Sequence, residues 1–283
     1  MKGWAEARTA ARKFERALAY SAGALLLLLM LGWSMNLFRV RGIRLAVHGT
    51  FLALLAVVAA YGWIEDGFAG LLLQTGALLT VFVCVVLHEL GHCFAAMHYG
   101  IGVRRILLLP IGGMAEFDSM PREPRREVVI ALAGPAVNFA LVALLWAVVP
   151  AEAPGDPDAI TWAEAGRLLL QWNLIMGLFN LLPAFPMDGG RILRAAFALR
   201  LDYTRATFWA ATTAKILCVT GLIAAAWYRP IWMALPIFIF VLGELEYRAV
   251  KRREIEDEHW RSTSARFGLV GEPPLLVAHE GKG

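Results

Sequence analysis

The stretch Val85–Gly100, VVLHELGHCFAAMHYG, sets three histidines and a glutamate inside a run otherwise composed for lipid. Ionisable side chains in an apolar helix together cost several kcal/mol when nothing pairs with them, so their presence asks for a partner. His88 and His92 are four residues apart, which on a helix places them about 40° apart on one face, with Glu89 alongside. This is the HExxH pattern. Two imidazoles at that spacing suit Zn²⁺, which then needs a third protein ligand and a water that Glu89 can deprotonate as general base. The bland alternative is a set of helix-end side chains reaching for water or bonded to neighbouring helices.

The rest of the chain is built for the same medium. Of its 283 residues 59% are hydrophobic and 18% charged, and the mean hydropathy is +0.59. A bilayer takes about 20 apolar residues per helix. Six windows qualify, at 45–64, 69–98, 127–149, 166–182, 206–228 and 230–247, and 17–35 is a further possibility. The predicted fold is therefore an all-α polytopic membrane protein with a six-helix transmembrane core over 35–248. Residues 1–34 form an N-terminal extension, either an extra helix or the product of an early start, and 249–283 a polar cytoplasmic tail. Arginines at 39, 41, 44, 104, 105, 122, 125, 126, 191, 194, 200 and 205 alternate with loops holding Glu65, Asp66 and the acidic 151–164 segment. By the positive-inside rule the Arg-rich loops and the C-terminus face the cytoplasm.

The net charge of +4 is spread over these short loops without a basic stripe, which argues against nucleic acid as a partner. Cys84, Cys93 and Cys218 show neither CxxC nor disulfide spacing. Between the second and third windows, VRRILLL (103–109) and MAEF (114–117) read as short strands around Pro110, Gly112 and Gly113, a small hairpin or sheet at the membrane edge.

Three residues compete to be the third ligand. His98 fits the longer HExxHxxGxxH spacing, but Ala95 occupies the glycine position, and an unbroken helix turns His98 about 120° away from His92. Glu116 falls in a suitable window but follows a Gly/Pro-broken strand. Asp188 lies in NLLPAFPMDGGRILRA (180–195), where Pro183 and Pro186 end an apolar run and Gly189 and Gly190 let the backbone pass closely. Asp188 reads equally well as a helix N-cap. Among the remaining candidates, His48 is more simply an interhelical hydrogen-bonding group, Cys93 packing, and Glu244 a solvated residue or a partner of Arg248.

At this point the sequence resembles the site-2 proteases, intramembrane zinc metalloproteases. The likeness rests on HELGH (88–92), AGPAVNFAL (133–141) and the NxxPxxPMDGG run from Asn180 to Gly190, and covers roughly 35–248. LLLPIGGMAEF (107–117) resembles the family's membrane-edge sheet, and RVRGIRLAVHGTF (39–51) its usual approach to the first span. Met187 stands where the family usually has leucine, a volume-conserving swap.

The resemblance implies a cytoplasm-facing site in which His88, His92 and Asp188 hold one Zn²⁺ per chain and Glu89 activates the water. It implies substrates that are transmembrane segments of other proteins, cut within the bilayer. Asn138 and Asn180 would line the site and hold substrate or the oxyanion. Apart from the resemblance, a helix hides its carbonyls in hydrogen bonds, so an unwound substrate strand is expected to pair with the edge of the 104–117 strands around Gly112 and Gly113. Neither the PDZ domain nor the cystathionine-synthase-type pair of some members is read here, so a short form is expected. A non-catalytic relative that binds membrane clients is the alternative, and an ion transporter a more distant one.

Overall fold

The computed structural model describes residues 33–118, 123–150, 162–228 and 233–267. Among them run four strands, β1 (Ser34–Val40), β2 (Ile43–His48), β3 (Val103–Leu109) and β4 (Gly112–Phe117). Six helices follow the same chain: α1 (Gly49–His98), α2 (Pro124–Val148), α3 (Trp162–Asn180), α4 (Asp188–Ala198), α5 (Tyr203–Tyr228) and α6 (Ala234–Phe267). They divide into two compact units. The first holds the strands, α1 and Leu132–Gly177; the second holds the start of α2 up to Ala131 and the chain from Leu178 on. The apolar stretch 17–35 lies outside the described residues except at its end, where Ser34 and Met35 begin β1.

In the first unit the strands form one sheet in the order β1-β2-β3-β4, with β1–β2 and β3–β4 antiparallel and β2–β3 parallel. Arg41 and Gly42 join β1 to β2, both at positive φ (47° and 91°), the combination a two-residue hairpin turn demands. The expected hairpin at 103–117 is thus half of a four-stranded sheet. The other half was hidden because Leu45, Ala46 and Val47 are buried in succession, which erases the period-two signal of a strand. For the same reason the first apolar window, read as starting at 45, becomes helical only at Gly49. His48 is the N-cap of that helix, its Nδ1 accepting from the Thr50 amide at 3.3 Å.

The parallel pairing of β2 with β3 requires a crossover, and α1 supplies it. Its 50 residues are not straight. Asp66 (φ −129°) and Gly67 (φ 61°) break the helix. A Cβ on Gly62 would fall 2.4 Å from the Gly70 carbonyl oxygen, and one on Gly70 2.2 Å from that of Gly62. Eight residues of straight helix would separate those positions by about 12 Å, so the chain doubles back into a helical hairpin. Its two arms correspond to the expected windows 45–64, from Gly49 on, and 69–98, joined by the acidic turn. Ile43, Leu45, Val47, Ile106 and Leu108 of the sheet pack with Phe51, Phe82 and Cys93 of α1 into one apolar core.

Among the described residues, three helices are long and apolar enough to cross a membrane: α1, α2 and α5 through Trp227. Only 17%, 28% and 28% of their apolar windows is buried within the protein, and Ile64, Trp146 and Trp227 are 77%, 79% and 87% exposed. Apolar surface of that kind costs about 25 cal/mol per Å² in water and nothing in hydrocarbon. The expectation of six spans is finer than this. Glu164, Arg167, Gln171 and Asn173 dilute α3, and Glu244, Glu246 and Arg248 dilute α6.

In the second unit the chain after α3 folds back on the start of α4. A Cβ on Gly189 would lie 2.3 Å or less from the carbonyl oxygens of Leu181 and Leu182, and one on Gly190 2.6 Å from the Phe185 nitrogen. Only glycine allows that approach, which is why two glycines follow Asp188. Arg194 of α4 is 2% exposed. Its Nε donates to Glu127 Oε1 at 2.8 Å, Nη2 bonds the same oxygen, and the guanidinium stacks on Phe185 at 5.1 Å and Tyr203 at 4.9 Å. Such a pair adds little net stability over an apolar isostere, but removing one partner costs about 3–5 kcal/mol, so α4 is locked to the first turn of α2. Glu244 is shared between Lys215 of α5 (2.5 Å) and Arg248 (2.7 Å), one partner more than its neighbour in sequence suggested.

Candidate metal centre

His88, Glu89 and His92 lie in the second arm of α1, within three turns of its end at His98. Both imidazoles are 4% exposed. Their rings meet edge to face, with centroids 4.7 Å apart, and the two Nε2 atoms converge to 3.1 Å. Two nitrogens bound to one tetrahedral zinc at 2.0–2.1 Å stand about 3.3 Å apart, so the pair is close to the spacing a single ion requires.

Glycines clear the space around these atoms. Gly91 of HELGH meets α2 so closely that a Cβ there would fall 2.6 Å from the Ala133 carbonyl oxygen, the small-residue helix crossing common in membranes. One position on, a Cβ at Gly134 would sit 2.2 Å from His92 Nε2 and 2.7 Å from His88 Nε2. Both distances are somewhat longer than a zinc–nitrogen bond of about 2.0–2.1 Å, so the missing methyl group leaves a cradle of ionic size beside two nitrogen donors. The donor set and the cradle fit zinc. Glu89 is half-buried, and Gly113 of β4 lies over it: a Cβ there would be 2.5 Å from Glu89 Cγ.

His88 turns its other nitrogen to Asn138 Oδ1 at 2.5 Å. Asn138 has no exposed surface. Asn173 of α3, also fully buried, accepts from Asn138 Nδ2 at 3.0 Å; sequence reasoning passed over it. The only signal was an amide in the middle of an apolar window.

Two competitors for the third ligand are otherwise engaged or placed. His98 ends an uninterrupted helical arm, exposed, its ring against Tyr99 at 5.3 Å. Glu116 on β4 is ion-paired to Arg105 at 2.8 Å. Asp188 belongs to the second unit, where it is 6% exposed and opens α4. The N-cap is Met187, so the capping role read for Asp188 is taken by its neighbour. A carboxylate in the first turn is favoured by the helix dipole. Asn180 is the last residue of α3 and half-buried. Cys93 is buried in the sheet–helix core as packing.

The family model of peptidase family M50 matches residues 76–155 and 153–222. A zinc metalloprotease of Methanocaldococcus jannaschii is 36% identical over 222 residues, 78% of this chain and 62% of its own length. The putative zinc metalloprotease Rip3 of Mycobacterium tuberculosis is 32% identical over 65% of this chain and 49% of its own. The chain thus spans about half to two thirds of these relatives. The solved structure of a site-2 protease from Methanocaldococcus jannaschii superimposes with a TM-score of 0.56 at 35% identity, covering 76% of this chain and 95% of that one. The chain is an integral membrane protein of peptidase family M50, the site-2 protease family of zinc metalloproteases.

Proposed function

We propose that this protein is a zinc-dependent endopeptidase that hydrolyses peptide bonds within transmembrane segments of other membrane proteins. One Zn²⁺ per chain is held by His88, His92 and Asp188. The observation that carries the reading is the convergence of two buried Nε2 atoms on a glycine-lined cradle, one residue from a half-buried carboxylate. The family membership and the chemistry of Asp188, a buried carboxylate opening a helix pinned by the Arg194–Glu127 pair, support it as the third ligand.

Zinc, when bound, polarises the scissile carbonyl and lowers the pKa of a water. Glu89 accepts the proton of that attacking water and passes it to the leaving amine, the work of a general base and then acid. Asn180 lines the site for the substrate backbone. Six spans and a cytoplasmic active site follow from the arginine asymmetry of the loops.

A transmembrane helix hides its carbonyls in internal hydrogen bonds, so the substrate must unwind before it is cut. Strand β4 closes one edge of the sheet, and its Gly113 covers Glu89, so a strand added through Gly112 and Gly113 would run beside the base. Met114 on β4 is 46% exposed and Met35 on the opposite edge 40%. Held in a Glu89→Gln background, a Met114→Cys chain is expected to form a disulfide with a cysteine near the scissile bond, and Met35→Cys none. Equal trapping at both edges would eliminate β4 as the docking strand.

Zinc per chain tests the metal site directly. Purified wild type is expected to carry one equivalent, and Asp188→Ala close to none after mild chelation. A full equivalent in Asp188→Ala would remove Asp188 from the ligand set.

A further inference from the structure

A histidine that binds a metal through Nε2 must keep its proton on Nδ1, and the side chains around His88 decide where that proton sits. The chain of bonds starts at a group with no choice. Leu169 contributes a backbone carbonyl, which can only accept, and Asn173 Nδ2 donates to it at 2.8 Å. That anchors the Asn173 amide with its oxygen pointing the other way, where it accepts from Asn138 Nδ2 at 3.0 Å. Asn138 is fixed in turn, with Oδ1 presented to His88 Nδ1 at 2.5 Å. The remaining contact of Asn173 Nδ2, with Cys84 Sγ at 3.3 Å, goes to a thiol that can donate or accept and so does not compete. Both amides are completely buried, so water offers no alternative partner.

We propose that Asn173 and Asn138 form a positioning relay that transmits the polarity of the Leu169 carbonyl to His88, fixing its proton on Nδ1 and presenting Nε2 to the metal. If the Asn138 amide turned over, its NH₂ group would donate to Nδ1, force the proton to Nε2 and block the ligand atom. Nothing else among the described bonds of Asn138 prevents that turn; Asn173 does. The relay rests on the zinc reading above and adds two residues to it, one on α2 and one on α3. A carboxylate at position 138 would make it unnecessary, because either oxygen accepts from Nδ1–H whatever Asn173 does.

The experiment measures zinc affinity of the full chain by competition with a chelator in four forms: wild type, Asn173→Leu, Asn138→Asp and the double variant. Asn173→Leu, nearly isosteric, is expected to weaken zinc about 10–100-fold, the usual effect of losing an outer partner of a metal-bound histidine. In the Asn138→Asp background the same change is expected to cost nothing further. An unchanged affinity in Asn173→Leu, or an equal loss in both backgrounds as a purely structural role requires, overturns the relay while zinc binding by wild type stands. A wild-type chain that takes up no zinc overturns the relay and the metal reading together. Nitrogen-15 spectra of histidine-labelled, zinc-free wild type give a second readout that needs no variant to fold. His88 is expected as the Nδ1–H tautomer, and the Nε2–H form refutes the relay.

Discussion

Replacing Glu89 with glutamine is expected to leave one zinc per chain and to lower cleavage of a co-expressed transmembrane substrate by about 10²–10⁴-fold, the contribution of a positioned general base. Glutamine keeps the shape and half-buried position of the side chain under Gly113, so the packing of β4 against α1 should not change. It cannot accept a proton at neutral pH. The two imidazoles are untouched, since Glu89 lies beside them on the helix and not between them. Retained zinc with lost cleavage separates an enzyme from a membrane-client binder, for which the substitution would be silent. Cleavage at the wild-type rate by Glu89→Gln would end the catalytic assignment of this residue.

Gly134→Ala is expected to abolish zinc binding and activity together. Its methyl group would stand 2.2 Å from one Nε2 and 2.7 Å from the other, in the space beside both ligand atoms. It meets His92 first and His88 second, and His88 is already held on its far side by Asn138, so that ring cannot swing away without losing its bond. Helix stability moves in the opposite direction, because alanine is favoured over glycine inside a helix by about 1 kcal/mol. A well-folded Gly134→Ala protein without metal therefore isolates the steric effect. Zinc at one equivalent in that variant would show that no ion occupies the cradle.

Much of this was legible in the residue pattern because the elements concerned announce themselves locally. HELGH brings His88 and His92 to one helical face by spacing alone, and VRRILLL and MAEF show strands on either side of the break at Pro110. What escaped depends on which surfaces are covered. Strand β2 is apolar at three consecutive positions and merges by eye with the helix that follows, so the first span seemed to start early and the sheet seemed two-stranded. Asn138 could be tied to the site from its motif, but its role as a partner of His88 depends on a helix crossing that no spacing reveals. Asn173 and Glu127 stand alone in sequence and acquire meaning only through Asn138 and Arg194. The count of spans suffers from the same limit. Polar residues that lower the apolarity of α3 are, in the case of Asn173, turned inward to a neighbour.

The order of the two units along the chain has a consequence for biosynthesis. The sheet and the helical hairpin that carries Glu89 and both imidazoles are encoded ahead of α4, with Asp188 96 positions after His92. At ribosomal speeds of about 5–20 residues per second, that interval lasts roughly 5–20 s. Under the proposed ligand set, a nascent chain spends this time inserted yet unarmed, unable to attack its own emerging helices or those of neighbours leaving the same translocon.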